Sequence, residues 1–430
     1  MLTKLFGFNP TTSTIRKEII AGVTTFWTMS YILAVNPSLF SQLDGMPEGS
    51  VFTSTALAAI VGCLVMAFYG KLPIGLAPGM GLNAFFVYGV CLGMGYSWQF
   101  ALTAVLIEGI LFILMTLTNI REGIVNAIPV TMRKAIGAGI GLFIAFIGLQ
   151  SAGVIVNNDA TLVELGDITS GSALLAMIGL IITGFLFLKN VPGAILIGIL
   201  ITMLIGIPLG VTEFKGILSK PESISPIFCQ FDFEHVFTLD MLVVVFTFLF
   251  IDMFDTVGIL IGVCTKAGLV DKKGNILRIK EAFMADSIAT TVGACLGTST
   301  TTTYLESAAG VAQGGKSGLT AFAVACCFGV ALFFCPLFLS IPAAATSPAL
   351  IIVGLLMMDP IRQIPFEDFS ESIPAFVCII MMPLTYSISN GILLGMITYV
   401  LMNLICGRAK KVTIPMAVLA VLFVLRYIFI

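Results

Sequence analysis

Five acidic residues stand inside long apolar stretches of the chain: Glu108, Asp252, Asp255, Asp286 and Glu306. A charge at the centre of a bilayer costs about 2.5–3.5 kcal/mol on insertion scales, so such residues are functional candidates by default. Asp252 and Asp255 lie in VVVFTFLFIDMFDTVGIL, three residues apart, and share one helical face. Two neighbouring carboxylates in a low dielectric do not both ionise easily, which suits a group that carries a proton. One of the two can equally clamp a neighbouring helix. Spacing alone does not choose; Asp252 is read as the clamp and Asp255 as the ligand residue. Glu306 follows the run TTTTYL, where a carboxylate can accept hydrogen bonds from a ligand's N–H groups or cap and bridge a broken backbone. Asn83, in GMGLNAFF, both donates and accepts, which fits the edge of a heterocycle as well as a helix cap. Glu108 and Asp286 read as structural, Asp286 near a cytoplasmic end. Phe85, Phe248, Phe250, Phe254 and Tyr304 could stack on a flat ligand, but with 34 Phe in the chain most of them are expected to pack or face lipid.

Residues 310–317, GVAQGGKS, match the phosphate-cradling loop of nucleotide hydrolases. That loop needs a preceding strand, a long following helix and a magnesium-binding carboxylate in a parallel sheet. An apolar chain offers none of these, so the match is read as chance and no ATP is expected. His235 is the only histidine and no cysteine pair has metal-ligand spacing, which leaves no metal site and no nucleophile–base constellation of an enzyme. The 10 cysteines read as small apolar packing residues.

These side chains must be positioned by membrane elements. Of 430 residues, 58% are hydrophobic and 10% charged, against about 25% charged in soluble chains, and the mean hydropathy is +1.09. The start, MLTKLFGFNPTTSTIRKE, has no apolar core before a small-residue cleavage site, so the first apolar segment reads as a true span. Apolar segments fall at about 19–41, 52–69, 81–94, 97–118, 135–152, 172–188, 192–211, 240–264, 282–297, 304–314, 318–340, 344–358, 373–386, 388–406 and 413–430. Two are too short to span alone, 81–94 and 304–314, and they follow LPIGLAPGMG and GTSTTTTY. Irregular backbone at membrane depth is tolerated only inside protein or along a wet cavity. A matched pair of broken segments, one per half, points to an inverted-repeat transporter with a central site. The two extended pieces are expected to pair with each other, each leading into a half-helix whose N-terminus offers free N–H groups.

Loop charges set the topology. Lys4, Arg16 and Lys17; Arg121, Arg133 and Lys134; Lys266, Lys272, Lys273, Arg278 and Lys280; and Arg408, Lys410 and Lys411 fall on one side if each broken segment completes one crossing. The acidic loop 153–171 and the loop 212–238 fall on the other. The positive-inside rule then puts the N-terminus in the cytoplasm and gives roughly fourteen crossings before Arg408, seven per half. Segment 413–430 is surplus, and Arg426 makes a deep placement awkward.

Together GLAPGMGLNAFF, FIDMFDTVG and GTSTTTTYLESAAGV resemble the AzgA-like purine permeases, a branch of the nucleobase–cation symporter and nucleobase–ascorbate transporter superfamily, over essentially the whole chain. The resemblance implies an all-α polytopic fold of two inverted seven-helix repeats. Its core domain would take 1–120 and 239–342 and its gate domain 121–238 and 343–430, with homodimers and transport of purine bases with protons. It places Asp255 and Glu306 at the superfamily's acidic substrate positions, Asn83 at the polar position of the third helix, and Ser307 where relatives often carry Asn. With Thr303 these form the expected substrate-binding set; Asp255, Glu306 and Asp252 are the expected proton carriers. Relatives that use a histidine after the eighth-helix acid have no counterpart here, so the proton must ride on a carboxylate. The expectation is a plasma-membrane or bacterial inner-membrane importer of guanine and hypoxanthine, with adenine as the alternative substrate and an anion carrier as the remoter one. No cofactor and no nucleic acid are expected; sodium is the alternative coupling ion.

Overall fold

The computed structural model describes residues 2–118, 129–169, 171–269, 276–413 and 416. Helices occupy all fourteen apolar segments before Arg408. In chain order they are α1 (Leu2–Phe6), α2 (Ile15–Met29), α3 (Ile32–Phe40), α4 (Glu48–Val65), α5 (Met80–Ala84), α6 (Trp98–Thr118), α7 (Val130–Ser151), α8 (Gly171–Leu188) and α9 (Ala194–Gly206). The second half contains α10 (Leu239–Ala267), α11 (Ile279–Leu296), α12 (Ser307–Ala312), α13 (Gly318–Ala331), α14 (Cys335–Leu339), α15 (Ala343–Met357), α16 (Phe369–Leu384) and α17 (Ile388–Ile405). Wider i→i+5 turns continue α4 through Met66–Gly70 and α5 through Phe85–Gly93, a local loosening of the helix that recurs at functional sites.

Among the described residues nine helical stretches are long and apolar enough to cross a membrane, and three shorter apolar ones accompany them. The protein is a multi-pass membrane protein. The surplus segment 413–430, apart from Thr413 and Met416, and the charges Arg121, Lys272, Lys273 and Arg426 lie outside the described residues.

The two extended pieces pair as expected. β1 (Leu76–Pro78) runs antiparallel to β4 (Thr301–Thr303), with Leu76 opposite Thr303, Ala77 opposite Thr302 and Pro78 opposite Thr301. Both strands are buried, so each satisfies backbone groups that water cannot reach. Pro78, which has no N–H, sits at the end of the ladder, where a missing donor costs least.

Two local features add to the reading of the sequence. The first apolar segment, 19–41, breaks between Met29 and Ile32, at Ser30–Tyr31. The acidic loop 153–171 contains a hairpin of β2 (Ile155–Asn158) and β3 (Leu162–Leu165), whose connection is fastened by the Asn158 side chain accepting from the amides of Ala160 and Thr161.

The helices pack in two sets. In one, α2, α3, α4, α6 and α10–α13 lie against one another; in the other, α7–α9 and α15–α17 do so. Close approach relies on small residues. A Cβ on Gly22 would come within 2.5 Å of the Ala323 Cβ, and one on Gly310 within 2.5 Å of the Ala21 carbonyl, so α12 and α13 both press on α2. At the far end of α16, the N-cap Asp368 accepts from Ser370 and pairs with Arg408 (3.1 Å). These contacts, Ser370 first, hold its carboxyl below the usual carboxylate range.

Candidate functional site

The strand pair and the two helix sets meet at a cavity of about 510 Å³. One helix set contributes α10, the turn before α5 and the end of β4; the other contributes α7 and α15. On α10, Ile251, Phe254, Asp255, Gly258 and Ile259 face it, spaced as one helical stripe. Thr302 to Glu306 form its floor, and Gly79 to Gly81 an adjoining wall. Its mouth carries Val130, Arg133, Lys134 and Asp359, on the side that the loop charges assign to the cytoplasm.

Asp255 and Glu306 both line the cavity. Glu306 is the N-cap residue of α12 but makes no side-chain cap bond. Its Oε1 instead accepts from the Tyr31 hydroxyl at 2.9 Å, and its carbonyl receives the Thr28 hydroxyl at 3.4 Å. The break in the first apolar helix therefore wraps around Glu306. Thr303 also lines the cavity, and its buried hydroxyl has no partner among the described residues.

The remaining expected residues stand behind the cavity wall. Asp252 is fully buried and accepts from the Thr256 hydroxyl (3.2 Å), which also lies 3.2 Å from Asp286 Oδ2 and 2.7 Å from Thr302 Oγ1. Asp286 is thus fully buried inside the bundle, in the interior of α11, and not near a cytoplasmic end. Asn83 does not reach the cavity: it is fully buried and accepts from the Ser299 hydroxyl, tying α5 to the chain before β4. Ser307 accepts from the Gly75 amide (3.0 Å) and so serves the strand end. Both hydrogen bonds satisfy irregular backbone or its neighbours, which is the more urgent need at membrane depth. Glu108 accepts from Thr300 (2.6 Å), consistent with its structural reading. Of the aromatics, Phe254 and Tyr304 line the cavity, with the Tyr304 hydroxyl donating to the Pro78 carbonyl (2.6 Å). Phe85 and Phe248 pack edge-on against each other in the core.

Three residues escape a reading of the sequence. Tyr31 sits in an apolar run where a tyrosine draws no notice. Arg133 counts there only as a loop charge. Glu18 lies in the first turn of α2, yet it is fully buried. It accepts from the amides of Lys316 (3.2 Å) and Ser317 (3.3 Å) and from Thr320 Oγ1 (2.5 Å). Of the GGKS amides that would cradle a phosphate, those of Lys316 and Ser317 are spent on this carboxylate, and those of Gly314 and Gly315 on the carbonyls of Val311 and Gly310.

A cavity at a crossed strand pair, lined by two carboxylates and enclosed by two helix sets, is the arrangement of a membrane carrier. A family profile described as "Permease family" matches residues 16–394. The chain is 45% identical to the guanine/hypoxanthine permease PbuG of Bacillus subtilis (99% of each chain covered). It is 41% identical to the adenine permease AdeP of Escherichia coli, over 100% of this chain and 96% of the relative. In fold it resembles the transmembrane domain of a cyanobacterial bicarbonate transporter, BicA, with a TM-score of 0.65 at 16% identity, over 87% of this chain and 96% of that one. The chain belongs to this family of permeases.

Proposed function

We propose that the protein is a proton-coupled carrier that imports purine nucleobases, guanine and hypoxanthine in preference to adenine. The observation that carries this reading is the convergence of Asp255 and Glu306 on one cavity between the two helix sets. A purine presents N–H groups along its edges, and carboxylates accept from them. Thr303 adds a hydroxyl, and Phe254 and Tyr304 an aromatic border. Asn83 and Ser307 act from behind, by holding the strand junction in shape. The relatives named for purine transport support the substrate class.

In this reading the set containing α10 is the core domain, 1–120 and 239–342, and the set containing α7 and α15 the gate domain, 121–238 and 343–430. The repeats cross fourteen times, with the N-terminus in the cytoplasm of a plasma or bacterial inner membrane, and two copies associate. A proton on Asp255 or Glu306 neutralises the site so that the core can move against the gate; Asp252, off the cavity, supports the proton site through Thr256. No cofactor, ATP or chemical step is needed, since the gradient supplies the work. At the depth of Asp255 and Glu306 an anion would meet two carboxylates, whereas the cations Arg133 and Lys134 stand at the mouth, so an anion is disfavoured as cargo.

Uptake of radiolabelled hypoxanthine into proteoliposomes under an imposed proton gradient tests this. Uptake should collapse with the gradient, be competed by guanine, and fall at least about a hundredfold in Asp255→Ala and Glu306→Ala proteins that remain monodisperse, since each loses a charged hydrogen-bond acceptor in a dry site. Uptake retained in either variant removes that residue from the scheme; no uptake of any base removes the substrate class.

A further inference from the structure

The cavity carries a cation whose donors are unspent. Arg133, in the first turn of α7, lines the same cavity as Asp255 and Glu306. Its Nε is buried without a hydrogen-bond partner, and among the described residues no carboxylate pairs with it. The other charged groups at the mouth are engaged: Lys134 donates to the Gln363 carbonyl (3.4 Å) and Asp359 pairs with Arg362 (3.5 Å). A cation in a helix's first turn also lies against the positive end of the helix dipole, so α7 itself gains nothing from an arginine there. The terminal nitrogens of Arg133 are not among the shielded atoms, so its guanidinium stays accessible as a free donor on the cavity lining.

The chemistry of the cavity shows what that donor is for. When ionised, Asp255 and Glu306 serve the N–H groups of a base, while a protonated carboxyl or the single Thr303 hydroxyl can donate to one acceptor only. The Tyr31 hydroxyl is already given to Glu306. An oxopurine carries two adjacent acceptors, O6 and N7, and a guanidinium fork matches that edge with two parallel hydrogen bonds. A 6-aminopurine puts a donor where O6 would be, so the fork meets one acceptor and one repelling N–H group. We propose that Arg133 is a specificity-determining residue that donates to the O6/N7 edge of an oxopurine in this cavity and sets the preference over 6-aminopurines. This rests on the reading of the protein as a purine carrier.

Equilibrium binding to the purified, full-length protein tests it, with hypoxanthine, guanine, adenine and 7-deazahypoxanthine as probes. In Arg133→Gln, hypoxanthine and guanine should bind about tenfold more weakly, the loss expected for a bidentate arginine contact, while adenine changes by less than about twofold. Arg133→Lys, which keeps the charge and loses the fork, should resemble Arg133→Gln. The wild-type protein should bind 7-deazahypoxanthine, which lacks the N7 acceptor, about tenfold more weakly than hypoxanthine, and Arg133→Gln should not distinguish the two. This ligand-side comparison needs no variant to fold. Equal weakening for every base, or wild-type protein indifferent to loss of N7, overturns the proposal and leaves the carrier reading intact. Wild-type protein that binds no purine at all overturns both.

Discussion

At the scale of single residues, the site depends on what holds Glu306. Its carboxylate receives the Tyr31 hydroxyl at 2.9 Å, and both residues face the cavity. A hydrogen bond to a charged group contributes about 1.5–3 kcal/mol. Tyr31→Phe should therefore raise the KM for hypoxanthine about tenfold or more, because the carboxylate loses its fixed orientation. The ring still packs near Tyr304, 6.5 Å away, so the loss of thermal stability in detergent should be confined to that one hydrogen bond. An unchanged KM would show that the hydroxyl does not position Glu306. The acids themselves were legible in the sequence because a charge in an apolar run is conspicuous and costly. Tyr31 was not, since a tyrosine fits an apolar segment without penalty on any hydropathy scale. Arg133 was hidden for the opposite reason: it sits where the positive-inside rule already explains a basic residue.

At the scale of elements, the broken segments were the most legible feature. Gly and Pro in LPIGLAPGMG exclude an ordinary helix, and four consecutive Thr favour extended backbone. Membrane depth then leaves pairing between the two as the economical way to satisfy both. What the sequence did not disclose was which side chains support that junction, because Asn83 meets Ser299, and Ser307 meets Gly75, across more than two hundred residues of chain. The same holds for Glu18, which reaches the start of α13 from α2. Glu18→Ala should leave the amides of Lys316 and Ser317 and the Thr320 hydroxyl without their partner, at about 1–3 kcal/mol for each group that water cannot reach. A clear fall in Tm is expected, while ATP at millimolar concentration should not raise the Tm of the wild-type protein. A rise with ATP would show that GVAQGGKS binds a nucleotide in spite of Glu18.

At the scale of the whole molecule, the two helix sets leave cavities on opposite sides of a thin barrier. The second cavity, about 500 Å³, is lined by Ala34, Gln42, Lys215, Ser340 and Leu350 and shares no lining residue with the one that holds Asp255 and Glu306. Ala34 lies one helical turn from Tyr31, and Leu350 one turn from Val353, so the barrier on each side is a single turn deep. It joins α3 of one set to α15 of the other, which pack against each other. In the proposed alternating access this seam opens while the mouth that carries Arg133 closes. Linking Ala34→Cys to Leu350→Cys with a short bis-methanethiosulfonate reagent, which forms two reducible mixed disulfides and releases sulfinate, with the exposed Cys229, Cys326 and Cys406 replaced by Ser, should then fix the seam shut. Uptake should stop and return on reduction of the linker, whereas binding of hypoxanthine from the side of the Arg133 mouth should persist, because Asp255 and Glu306 remain open to that side. Full uptake in the linked protein would mean that the two sets do not part along α3 and α15, and that the base crosses by another route.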